Sequence, residues 1–238
     1  LQEMTDIDPL DITFDDPDTM AIFSDAETLN SKHAYSNSND GSLGIPEFGT
    51  DFVRGMLKDT KPKTFAELTR ISGLSHGTNV WLHNAQDLIR DGVTDLPHSI
   101  CTRDDIMIYL ISMGMDKLES FKTMEAVRKG KGIPNGTEPH MREHGVPEWY
   151  IDSCNKISYM FPKAHAAAYV MMSYRIAWFK VHSPAAFYAT YYTQRLSDFS
   201  TRFIFKSLEM VQSTMQSMKQ DSVLEGIEID GAKWTLLE

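Results

Sequence analysis

The sequence is poor in cysteine, in long apolar runs and in β-type alternation, and each shortage removes a class of protein. Two cysteines in 238 residues, Cys101 and Cys154, offer neither a zinc spacing nor a disulfide framework, which points to a reducing cytoplasm. No uninterrupted apolar run approaches the ~20 residues that cross a bilayer. The opening LQEMTDIDPLDITFDDPD is acidic and lacks the basic and apolar regions of a signal peptide. It also lacks an initiating Met, so a fragment or a processed chain is expected. Catalytic signatures are missing as well: there is no nucleophile elbow. The histidines (33, 76, 83, 98, 140, 144, 165 and 182) are scattered and match no zinc pattern.

What is present is an ordinary globular composition, 42% hydrophobic and 24% charged, with an uneven distribution of charge. The net charge of −10 resides in residues 1–50, which hold eleven acidic side chains and one lysine. The remainder is neutral, and within it residues 117–182 carry ten Lys/Arg against six Asp/Glu. An acidic chain is a poor nucleic-acid binder by default, yet a local basic stretch creates an anion-attracting face. The acidic segment is expected to face away from any nucleic acid.

Helical periodicity dominates. Asp15 or Asp16 can cap a short helix begun by Pro17. SKHAYSNSNDGSLG (31–44) is polar and loop-like. Thr64 with Glu67, and Thr102 with Asp105, have capping-box spacing; Gly73 is expected to stop the first of these helices and Gly114 the second. Thr78 is a candidate cap for a helix with Trp81, Ala85, Leu88 and Ile89 on one face, ending at Gly92. Asp116 opens a helix through Val127, Pro147 opens the next, and Pro162 precedes a long helix that Pro184 interrupts. STRFIFKSLEMVQSTMQSMKQDS (200–222) reads as one amphipathic helix, and GIEIDGAKWTLLE (226–238) as a short strand pair or an unstructured end. The fold class is mostly α, with little or no β structure except near the C-terminus.

Three patterns could carry function. In RKGKG (128–132) three cations sit where a helix gives way to glycines. They either complement the negative end of the helix dipole or converge on a phosphate chain. FPKAHAAAY (161–169) opens a helix with Lys163 and His165 beside unsatisfied N–H groups, small alanines that let a large group approach, and Tyr169 one turn beyond His165. The competing reading is an alanine-lined packing face. Further along, Met171, Met172, Ile176, Trp178 and Phe179 are expected as core anchors, and Arg175, Lys180 and His182 as solvated or phosphate-facing positions. Finally, residues 64–81 resemble a helix-turn-helix, which opens an alternative as a non-enzymatic DNA-binding protein.

GIPEFGTDFVRGML (44–57), FAELTRISGLSHGTNVWLHNAQDLI (65–89), RDDIMIYL (103–110), MEAVRKGKG (124–132) and YMFPKAHAAAYVMMSYRIAWFKVHSP (159–184) occur in order. Together they resemble the PolC-type alpha subunit of bacterial DNA polymerase III, a C-family replicative polymerase, over roughly residues 1–199. The resemblance implies an acidic segment 1–43 continuing from a palm domain, a helical fingers domain at 44–199, and a divergent end at 200–238. It implies that Arg128, Lys129, Lys131, Lys163 and His165 lie near the phosphates of an incoming dNTP and Tyr169 near its sugar. Ser72 and Phe161 match positions of the pocket that nucleotide-mimicking inhibitors occupy. His76, Arg103 and Arg175 lie within the matched motifs and are candidate DNA contacts. Primer–template DNA, the sliding clamp and other replisome proteins are the implied partners, with no membrane. The Mg²⁺ ions belong to palm carboxylates that precede the matched region, so Asp15, Asp16 and Asp18 are not their ligands and this chain alone is expected to be inactive.

Overall fold

Side-chain caps open five of the helices among the described residues. The computed structural model describes residues 1–29, 40–196 and 207–225. Within them the chain forms α1 (Gln2–Thr5), α2 (Pro17–Ala21), α3 (Asp51–Thr60), α4 (Phe65–His76), α5 (Gln86–Arg90), α6 (Arg103–Ser112), α7 (Lys117–Val127), α8 (Thr137–Glu143), α9 (Glu148–Lys156), α10 (Lys163–His182), α11 (Pro184–Gln194) and α12 (Leu208–Glu225). Asp16 caps α2, accepting from Thr19 N at 2.7 Å. Thr102 and Asp105 close the capping box of α6, and Asp116 accepts from Leu118 and Glu119 to open α7. Glu67 extends its box one residue outward, accepting from Lys63 N at 2.7 Å. No strand occurs among the described residues; one antiparallel bridge joins Thr78 to Tyr159. Most of loop 31–43, the join 197–206 and the segment 226–238 lie outside the described residues.

α10 is the axis of the fold, packing on α2, α4 and α11. It buries Ala166, Val170, Ser173, Tyr174, Ala177, Phe179 and Lys180. Tyr174 is fully enclosed, with the rings of Phe14, Phe65 and Phe23 at 5.6, 6.1 and 6.5 Å. Its hydroxyl donates to the Asp16 carbonyl at 2.9 Å, which satisfies the only polar atom on a ring whose burial is otherwise favourable. The acidic N-terminal segment therefore belongs to the core: Ile12, Met20, Ile22 and Phe23 are all buried.

Several expectations are overturned. Gly73 does not end α4 but lies inside it, where a Cβ would come within 2.7 Å of the Cys101 carbonyl oxygen and of Thr102 Cγ2. The glycine permits the chain before α6 to approach, and Gly77 ends the helix instead. Thr78 caps nothing. Leu82, His83 and Asn84 leave helical dihedrals in the turn Trp81–Ala85, where the buried Asn84 amide donates to the Asn79 and Ser153 carbonyls at 3.0 and 3.2 Å. That side chain competes with the backbone ladder, so only five residues of helix follow. The second helix of a helix-turn-helix is thus absent from 78–85. On α10, Met172 is exposed, whereas Lys180, expected in solvent, is buried. Among the described residues no helix is long and apolar enough to cross a membrane.

Candidate nucleotide site

The site grows from the extended segment 158–162, which three elements clip by backbone hydrogen bonds. Thr78 N donates to the Tyr159 carbonyl at 2.9 Å, Met160 N to the Arg128 carbonyl at 3.1 Å, and Arg103 N to the Phe161 carbonyl at 3.1 Å. The turn after α7, the start of α6 and the exit of α4 therefore meet immediately before α10. Gly130 explains how close the contact is: its φ is +71°, and a Cβ there would lie 2.4 Å from the Ser158 carbonyl oxygen. Only glycine meets both conditions without strain.

An aromatic stripe runs from this segment onto α10. Phe161 stacks on His165 with centroids 5.0 Å apart, and His165 meets Tyr169 at 4.7 Å. The four-residue spacing keeps His165 and Tyr169 on one helical face, and Phe161, just ahead of the Pro162 cap, continues the line. Tyr159 meets Phe161 edge-on at 5.1 Å. His76, at the end of α4, faces the stripe at 5.7 Å from Phe161, 5.8 Å from His165 and 6.1 Å from Tyr169. Its Nδ1 donates to the Ser72 carbonyl at 2.6 Å and its Nε2 meets Glu47 at 2.9 Å. Glu47 holds a left-handed φ of 68°, so a residue in a sparsely populated conformation fixes the ring. The Ser72 hydroxyl is buried one turn earlier on α4, with no hydrogen-bond partner among the described residues. Tyr159 and Tyr169 remain 43% and 39% exposed, so the stripe is an open surface with stacking capacity rather than a sealed packing face. Ala166, in contrast, is buried, and the alanines serve both contact and clearance.

The cations lie beside the stripe. Arg128 grips Glu125 bidentately at 2.5 and 2.8 Å, Lys129 reaches the same carboxylate at 3.0 Å and Arg103 at 3.8 Å. The Arg128 and Lys129 hydrogen bonds hold the Glu125 carboxyl down to about 2. Lys131 and Lys163 are exposed and make no ion pair among the described residues. The α10 N-terminus differs from expectation: the Asp104 carboxylate accepts from Lys163 N at 2.7 Å, so one of its N–H donors already has an anion.

Arg175 is not brought to this cluster. Its guanidinium sits 5.2 Å over the Phe14 ring and lines a separate apolar groove of about 390 Å³ with Leu1, Pro9, Met171, Met172 and Ile176. His182 is engaged with Asp16 at 3.1 Å. Among the described residues no three His, Cys, Asp or Glu side chains converge as metal ligands. Asp16 accepts from Thr19 N and meets His182. Sequence reasoning missed Glu47, Asp104, Glu125 and Tyr159. The i,i+3 and i,i+4 spacing of Glu125 to Arg128 and Lys129 was a usable signal; nothing local marks Glu47 as the partner of His76.

Against known proteins, the bacterial DNA polymerase III alpha subunit finger domain matches residues 1–145. The chain is 56% identical over 218 residues, 92% of its length, to "DNA polymerase III PolC-type" of Staphylococcus saprophyticus, covering 15% of that protein. It is 52% identical over its whole length to the protein of the same description from Listeria monocytogenes, and 52% identical over 219 residues to that of Caldanaerobacter subterraneus, covering 16% of each. The likeness thus continues past residue 199, farther than the quoted motifs reach. The chain spans about a sixth of the length of these relatives, and it belongs to the PolC-type DNA polymerase III family, of which it carries the finger region.

Proposed function

We propose that this chain forms the fingers of a template-directed DNA polymerase and holds the incoming dNTP while covering the templating base. The triphosphate lies against Arg128, Lys129, Lys131 and Lys163, with His165 beside it. The sugar and base lie along Tyr169 and the Phe161–His165 stack, with Ser72 beneath. His76 borders the pocket, and Arg103, beside Glu125, adds charge at its edge. Arg175, across α10, is kept only as a remote DNA contact. The observation that supports this most directly is the convergence of the cationic turn and the aromatic stripe on one clipped segment, which pairs phosphate-attracting charge with stacking surface.

In the full-length polymerase, the palm supplies the carboxylates for Mg²⁺, which activates the primer hydroxyl and steadies the leaving phosphate. Primer–template DNA, the sliding clamp and other replisome proteins are the partners of that whole, and the isolated chain extends no primer. Steady-state single-nucleotide incorporation by the full-length enzyme tests the site. Lys163→Ala and Arg128→Ala should each raise the KM for dNTP about tenfold, the scale of a charge-assisted hydrogen bond. Tyr169→Ala should raise it by a similar factor through lost stacking, roughly tenfold, with little salt dependence. Unchanged KM values in all three variants would sink the assignment.

A further inference from the structure

Glu125 stands in the last turn of α7, where the helix dipole disfavours a carboxylate. Its i,i+3 and i,i+4 pairs with Arg128 and Lys129 offset part of that cost, but they do not explain a third cation. Its two oxygens receive three cations from two elements: Arg128 at 2.5 and 2.8 Å, Lys129 at 3.0 Å, and Arg103, from the start of α6, at 3.8 Å. Without a central anion these three positive groups repel one another, and long side chains so close together splay into solvent. The bidentate grip also fixes the plane of the Arg128 guanidinium, because Nε and one terminal nitrogen are engaged. The remaining N–H donors then point away from Glu125, and Lys129 keeps donors of its own. The Glu125 side chain is 23% exposed, so the cluster stands at the surface of the site. The Arg128 and Lys129 hydrogen bonds hold the Glu125 pKa down to about 2, which keeps the carboxylate charged throughout the working pH range.

Resting on the nucleotide reading above, we propose that Glu125 is a positioning residue for triphosphate binding: without touching the nucleotide, it gathers Arg103, Arg128 and Lys129 so that their unused donors present a single anion-binding surface. One negative charge among three positive ones leaves the cluster net cationic, so attraction for a triphosphate survives while the freedom of the side chains is removed before binding. Pre-organisation of this kind is expressed in affinity rather than in the chemical step.

The test is single-nucleotide incorporation by the full-length polymerase carrying Glu125→Gln or Glu125→Asp, with primer–template affinity measured separately. Glu125→Gln should raise the KM for dNTP about five- to twentyfold, the range of one charge-assisted contact. The same variant should hold kcat within about twofold and leave primer–template Kd unchanged, because only the ground-state positioning of cations is lost. Glu125→Asp, which keeps the charge on a shorter stem, should recover part of the loss. A lower KM in Glu125→Gln would make Glu125 a competitor of the triphosphate and overturn the proposal. An unchanged KM, with Lys163→Ala and Tyr169→Ala still raising theirs, would reduce Glu125 to a helix-end ion pair and leave the nucleotide site standing. If those two variants are also silent, the nucleotide reading itself falls. A joint loss of kcat, primer–template affinity and melting temperature would mark Glu125 as structural and likewise overturn the proposal.

Discussion

The two ends of α10 carry the same residue type in opposite settings. Lys163, in its first turn, is exposed, and among the described residues its hydrogen bond outside the helix runs from the backbone N–H to Asp104. Lys180, in its last turn, is 4% exposed and donates to the Gly41 and Leu43 carbonyls at 2.7 Å each. Its ammonium also lies 5.7 Å from the Phe187 ring centroid. Nearby, Arg54 and Asp40 approach at 3.5 Å, both buried, and Asp40 accepts from the Ser42 backbone. One end keeps its donors available; at the other they tie the 40–44 loop to the helix. Charge on a helix thus says little about role until its surroundings are known, because burial and partner geometry decide what a cation can do.

The largest expected effect falls at the buried end. Phe23 is fully enclosed, with Phe48 at 5.0 Å and Tyr174 at 6.5 Å. Phe23→Ala should destabilise the 238-residue chain by about 3–5 kcal/mol, the range for deleting a buried aromatic. Urea unfolding followed by circular dichroism gives the number, and a loss below about 1 kcal/mol would show that the N-terminal segment is not part of the core. Lys180→Met comes next. It leaves two loop carbonyls without donors, at a cost of about 2–3 kcal/mol, whereas Lys163→Ala should stay within about 0.5 kcal/mol of the parent, as an exposed substitution does. Equal losses at both positions would erase the contrast between the two ends.

A pH series sharpens the same contrast. Burial pushes Lys180 down from 10.5 to about 8, so the folded chain releases this proton before the unfolded chain does. The cost of enclosing the charge is present below about 8 and is progressively lifted as pH rises through the window to 10.5. Stability of the parent relative to Lys180→Met should therefore increase across that window, by on the order of 1–3 kcal/mol. A flat difference would mean that Lys180 titrates as a solvated amine. The smallest effect belongs to the open end: Tyr169→Phe should change the KM for dNTP by less than about twofold, because stacking needs the ring and not the hydroxyl.

Local chemistry made the helices legible. The Asp16, Thr102 and Asp116 caps are decided within four residues of chain, and proline placed the starts of α9, α10 and α11. What failed was any inference about which partner arrives from elsewhere. Gly73 has the look of a stop signal and is instead a point of close approach to Cys101 and Thr102. Lys180 fits a solvent-facing pattern until loop 40–44 covers it. The site shows the same division: the shared face of His165 and Tyr169 follows from spacing, Phe161 from the resemblance, and the cationic turn from composition. The Glu47–His76 pair and the clipping of 158–162 by three separated elements depend on tertiary contacts that no short window contains.

That clipping also sets the phase of α10. Because the Phe161 carbonyl and the Met160 N–H are held from outside, the helix begins at a determined angle, and every later side chain inherits its bearing from that one point. Adding a single residue to the strap would turn the whole helix by about 100° about its axis. Tyr169 would then swing away from His76, and the Lys180 side chain away from the carbonyls it closes. The short strap between α9 and α10 thus works as an index mark: it keeps the binding end and the anchoring end of one helix in register with two different parts of the molecule.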